Sequence, residues 1–221
     1  MTPAGPGRKT GPKPKFSTHD VVDAALSIGI DRFTMNAVAT QVGVGAPSLY
    51  RLFASRDDLV GACLQEILAR NPWQQTDLSW PDKLKRWSRY CWDVCEAYPG
   101  LALTLYTYPF PQVHGMRLLG HVLEDFEDSG LDRDTVLYAL DFIGDTAITL
   151  SLGLQSYRIE PRNEQRNKLL AKNRELLEQN LPQEITKIEQ SQDLYQHTVA
   201  PKTEFIIAAL QAGIRPDIPK P

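Results

Sequence analysis

The stretch from Thr34 to Leu59, TMNAVATQVGVGAPSLYRLFASRDDL, constrains this chain more than any other. Met35, Val38, Ala39 and Val42 recur at helical spacing and mark one buried stripe, while Asn36, Thr40 and Gln41 point elsewhere. Gly43, between two valines, suits a turn through positive φ, and Gly45 then opens a second helix with Pro47 in its first turn. Leu49 and Phe53 are four apart and face one core, which leaves Ala46, Pro47, Ser48, Tyr50 and Arg51 on or beside the exposed side. Ser55 and Asp58 form a capping box with aspartate in the usual place of glutamate, so a longer helix begins near Arg56 and runs through Leu59, Cys63 and Ile67. Two short helices across a tight turn, the second ending near Phe53, are therefore predicted ahead of a third.

The same grammar extends along the chain. Ser17 and Asp20 repeat the box and start a helix whose Val21, Val22, Ala25 and Leu26 pack on the pair above. Asn71-Pro72 ends the connecting helix, and a polar linker, Trp73 to Pro81, precedes a wide apolar face made by Leu84, Trp87, Tyr90, Cys91 and Val94. Pro99-Gly100 introduces a short helix, Val113 to Asp128 a longer one, and Asp132 to Tyr157 the longest, its stripe running from Val136 through Leu140, Ile143, Ala147 and Leu150 to Leu154. Residues 160 to 198 are mostly polar, with sparse leucines and isoleucines broken by Pro182, and Glu204 to Ile214 reads as a terminal packing helix. No strand-like alternation, internal repeat or phosphate-binding glycine loop competes, so the expected class is all-α.

Composition narrows the function classes. With 42% hydrophobic and 23% charged residues in 221, the chain has ordinary globular content. No apolar run approaches the ~20 residues of a membrane span and the N-terminus lacks a secretory core, so a cytoplasmic chain without a membrane partner is expected. Three cysteines, Cys63, Cys91 and Cys95, fit reduced thiols better than a disulfide scaffold. There is no GxSxG or HExxH, and His19, His114, His121 and His197 are scattered, so neither catalysis nor a cofactor is expected. The net charge is only −3, yet Arg8, Lys9, Lys13 and Lys15 precede the first acidic residue, Asp20. Residues 1 to 16 read as an extended basic arm, either a solubilising tail or a nucleic-acid contact.

Gly43, Val44, Gly45, Ser48, Leu49, Tyr50, Phe53, Ser55, Arg56, Asp57 and Leu59 together resemble the motif of the TetR family of bacterial transcriptional regulators. The resemblance covers residues 17 to 66; Gly45 replaces the usual serine or threonine cap and Arg56 the commoner lysine. It implies a flexible basic arm over residues 1 to 16, an N-terminal three-helix DNA-binding domain with a helix-turn-helix over 17 to 66, and a larger helical effector-binding and dimerisation domain over 67 to 221. The function it implies is a sequence-specific regulator of transcription, a repressor released from a palindromic operator by a small molecule.

On that basis Arg51, Ser48 and Asn36 are the candidate base readers, with Ser48 equally suited to phosphate, and Ala46 and Pro47 lie alongside them. Thr34, Tyr50 and Arg56 match backbone-contacting positions, although Tyr50 also suits a half-buried core aromatic and Arg51 a solvated surface charge. A homodimer is implied, with residues 132 to 157 and 203 to 214 pairing with their symmetry mates and Gly144 and Ala147 allowing close approach. Trp87, Tyr90, Trp92, Tyr98, Tyr106, Tyr108 and Phe110 line an effector pocket or simply fill the core. Asp141 and Asp145, one turn apart, either anchor a cationic or polyhydroxy effector together with His114, His121 or Arg117 or are solvated surface carboxylates. Two alternatives stand beside this: a metal- or thiol-responsive regulator built on Cys91 and Cys95, and an effector-independent DNA-binding protein.

Overall fold

The computed structural model describes residues 16–108, 111–158, 164–181 and 193–217, and among them every regular element is helical. In chain order these are α1 (Thr18–Ile28), α2 (Met35–Val42), α3 (Ala46–Leu49), α4 (Arg56–Arg70), α5 (Trp80–Ala97), α6 (Leu101–Thr107), α7 (Pro111–Glu124), α8 (Arg133–Arg158), α9 (Glu164–Asn180), α10 (Leu194–Thr198) and α11 (Ala200–Gln211). The architecture is an N-terminal helix-turn-helix head followed by a larger helical body.

Local chemistry sets the head's boundaries. Ser17 Oγ accepts from the Asp20 amide while the Asp20 carboxylate accepts from the Ser17 amide, and Ser55 and Asp58 do the same at α4. The two Ser17 hydrogen bonds hold the Asp20 carboxyl below its ordinary range. Gly43 closes α2 in the left-handed conformation at φ 78°, its amide reaching back to Ala39 and Thr40. The second helix of the pair is shorter than predicted: α3 stops at Leu49, and the chain continues through one tight turn in which the Leu52 and Phe53 amides both donate to the Leu49 carbonyl. Leu49 is fully buried and Phe53 nearly so, as the sequence predicted.

Among the described residues the apolar side chains gather into two cores. The first gathers α1 to α4 around Ile30, Phe33, Val38, Leu49 and Leu59, and extends past the head to Cys95, Leu101 and Ala102 of α5 and α6. The second gathers α5, α7, α8, α10 and α11 around Leu84, Trp87, Val122, Leu140 and Ile143. Packing is therefore continuous from head to body through α4 and α6. Tyr108 Oη donates to the Asp57 carbonyl (2.6 Å), Tyr90 Oη to the Asn71 carbonyl (2.7 Å), and the Ile30 amide to the Pro99 carbonyl (3.2 Å). Gly100, at φ 86°, fits against Asp31 where a Cβ would collide with the carboxyl.

Three expectations change in the body. Ala147 is fully buried and Gly144 lies against the Trp87 indole, so these small residues admit α5, not a symmetry mate. The terminal helix starts at Ala200, four residues before the predicted start, with α10 ahead of it. Residues 133–155 of α8 are long and apolar enough to cross a membrane by length and composition, contrary to the sequence reading, but their stripe is spent on the second core. Leu169 and Leu176 of the polar α9 are exposed, while Pro182, Ile185 and Ile188 lie outside the described residues.

Candidate nucleic-acid interface and effector cavity

The head presents one polar face. Thr34 caps α2 by accepting from the Ala37 amide (3.1 Å), which leaves its hydroxyl proton free to donate outward. Asn36 beside it is exposed. Across the turn, Pro47 and Arg51 are exposed, Ala46 and Ser48 half-buried, and Tyr50 is 53% exposed, so its ring is not a core member. Buried Leu49 fixes the orientation of this whole set by anchoring α3 to the first core.

Arg56 is placed differently from the expectation of a phosphate contact. Its Nε donates to the Phe33 carbonyl (3.0 Å), its Nη2 to the Ile30 and Asp31 carbonyls (3.2 and 2.9 Å), and its guanidinium lies over the Phe33 ring at 4.7 Å. It pins the α1–α2 connection to the start of α4. Arg8, Lys9, Lys13 and Lys15 lie outside the described residues.

The body holds a cavity of about 230 Å³ between α4, α5, α6, α7 and α8. Trp87 and Tyr90 line it, as do Asp141 and Asp145; the other aromatic candidates separate. Trp92 faces Tyr195 on the far side of α5, Tyr98 accepts from Asn71, Tyr106 bonds Thr149 and Asp145, and Tyr108 bonds Asp57. Phe110 and the His114 side chain lie outside the described residues, and Arg117 and His121 are exposed on α7 away from the lining. These residues were grouped by closeness in sequence, but a helix sends successive side chains in different directions.

Sequence reasoning missed two features of the cavity. Leu64, Ile67 and Leu68 of α4 form part of its wall, although α4 also carries the head. Their signal is an α4 apolar arc too wide for a single core face. The other is Trp73 in the linker, which meets the stacked Trp87 and Tyr90 rings edge-on at 5.9 and 5.6 Å.

Cys91 and Cys95 also line the cavity, and among the described residues no three His, Cys, Asp or Glu side chains gather as a metal set would require. Burial pushes the Cys63 and Cys95 thiols up to about 12 and raises Cys91 as well. The folded chain is accordingly expected to resist iodoacetamide at pH 8, all three thiols reacting at least about tenfold faster in urea; mass spectrometry of the alkylated protein checks this.

Residues 22–63 match the family model for bacterial regulatory proteins of the tetR family. That segment of the chain is a tetR-family domain. The chain is 27% identical over 139 residues to the HTH-type transcriptional repressor DrrR1 of Streptomyces coeruleorubidus, an alignment covering 60% of this chain and 52% of that protein. It thus spans about half the length of that curated relative. Its fold is that of a possible TetR family transcriptional regulator from Streptomyces coelicolor A3(2), with TM-score 0.69 at 19% identity over 89% of this chain and all of the other. It also resembles the Streptomyces coelicolor TetR family protein ActR crystallised with (S)-DNPA, with TM-score 0.61 at 21% identity over 90% and 99% of the two chains.

Proposed function

We propose that the chain is a homodimeric, sequence-specific DNA-binding repressor, acting in the cytoplasm, whose small-molecule effector occupies the cavity between α4 and α8. The observation that carries the reading is the exposed set of Asn36, Tyr50 and Arg51, with half-buried Ser48 beside them, on a helix-turn-helix whose orientation is fixed by buried Leu49. Arg51 suits a guanine edge, Asn36 an adenine edge, and Thr34 and Tyr50 phosphates. DrrR1, the curated relative, is named as a repressor, which supports the same direction of control.

A second copy is proposed to pack on the outer faces of α8 and α11, where Leu137, Tyr138, Phe142 and Phe205, with Ile214 just past α11, are exposed large apolar residues. Release from DNA runs through α4, which carries Leu59, Val60 and Cys63 in the head's core and Leu64, Ile67 and Leu68 on the cavity wall. An effector releases DNA only as far as it binds the released arrangement more tightly than the bound one.

Selection from a random duplex pool at fixed, near-physiological salt is expected to enrich an inverted repeat, and a pool without enrichment would overturn the proposal. On the enriched site, Arg51→Ala is expected to cost about 1–3 kcal/mol and to relax preference at one base pair per half-site. An effector-independent DNA-binding protein would instead show salt-dependent binding with little sequence preference.

A further inference from the structure

The cavity wall has a chemical asymmetry. Its polar groups are largely spent on the protein itself: Trp87 Nε1 donates to the Leu140 carbonyl (2.7 Å), and Tyr90 Oη to that of Asn71. Cys91 and Cys95 are held protonated by burial. The charged residues in the lining are Asp141 and Asp145, one turn apart on α8. The same two carboxylates also line a groove on the outer side of α8, which places them at the opening between the groove and the cavity.

Among the described residues neither carboxylate makes an ion pair within 4.0 Å, whereas the acids that meet Lys83, Lys85 and Arg89 of α5 do. Lys202 shares the outer groove with them without closing to that distance, and Arg117 of α7 lines neither the groove nor the cavity. Neutral help comes from Tyr106, whose hydroxyl lies 3.4 Å from Asp145 Oδ1. Burial and the neighbouring Asp141 both raise the Asp145 carboxyl above its ordinary range.

We propose that the cavity selects an effector with a compact apolar body and a single ammonium group, the body lying among Cys91, Leu118, Leu119 and Ile148 and the charge between Asp141 and Asp145. This rests on the cavity being the effector seat. An ammonium relieves the repulsion between the two acids and supplies donors that the wall lacks, whereas a carboxylate meets two like charges. An uncharged body of the same shape gains only the apolar contacts.

Three ligands sharing one cage separate these contributions: 1-adamantanemethylamine, 1-adamantanemethanol and adamantane-1-carboxylate, titrated into the full chain by calorimetry with tryptophan fluorescence as a second signal. The amine is expected to bind about tenfold more tightly than the alcohol, with the carboxylate weakest. The double variant Asp141→Asn, Asp145→Asn is expected to erase the amine's advantage and leave the alcohol's affinity unchanged, which also reports that the cavity is intact. Equal binding of amine and alcohol to the natural chain, or an amine advantage that survives the double variant, overturns the charge selection alone. If none of the three binds, the cavity fails as effector seat and this inference fails with it.

Discussion

Lys83→Met is expected to lower the free energy of unfolding by about 3–5 kcal/mol, because it strands a buried carboxylate. The Asp125 side chain is 2% exposed and that of Lys83 11%; their Nζ–Oδ1 distance is 3.2 Å, and Nζ also donates to the Asp125 carbonyl. Asp125 further accepts from the Thr76 amide (2.9 Å) and from Trp73 Nε1 (3.3 Å). One buried acid thus ties the linker, α5 and the end of α7 together. Without the ammonium, two neutral donors remain for a charge that water cannot reach. Urea unfolding at neutral pH measures the loss, and a change below about 0.5 kcal/mol, the range of ordinary surface substitutions, would contradict the buried-pair account.

Arg56→Ala is expected to destabilise the head by about 2–4 kcal/mol, the scale of losing charge-assisted hydrogen bonds to three carbonyls together with a cation–π contact. A phosphate-contacting arginine behaves otherwise: its loss lowers the slope of log affinity against log salt by about one while stability holds. For Arg56 the expected pattern is the reverse, an unchanged salt slope and a lower unfolding midpoint. Salt-dependent binding to a duplex together with thermal unfolding of the same variant distinguishes the two roles. A diminished slope at full stability would restore Arg56 to the DNA-facing set.

The head was legible in the sequence wherever its structure is set by neighbours in the chain. The Ser17–Asp20 and Ser55–Asp58 boxes, the left-handed turn at Gly43 and the shared burial of Leu49 and Phe53 depend on residues three to five apart. The inward hydrogen bonds of Arg56 were not legible, because the carbonyls it satisfies lie 23 to 26 residues upstream and carry no side-chain signature. The helix at Ala46 was drawn too long because its last turn tightens onto a single carbonyl, a choice that propensity does not settle.

The candidate cavity was half legible. Trp87, Tyr90, Asp141 and Asp145 were all named from the sequence, but so were Tyr106 and Arg117, which the fold keeps out of the lining. Gly144 and Ala147 were recognised as small residues on the α8 stripe, yet spacing alone does not say whether a partner helix belongs to the same copy.

Caps, turns and apolar periodicity, being local, determined by themselves an all-α chain with a helix-turn-helix near its start. Tertiary structure alone decided which side chains converge: that α4 belongs to both the head's core and the cavity wall, that Lys83 is buried against Asp125, and that Arg56 turns inward. The reason is physical: burial and pairing of polar groups are settled between elements far apart in the chain, by where water is excluded, and periodicity records only which face of each helix turns inward.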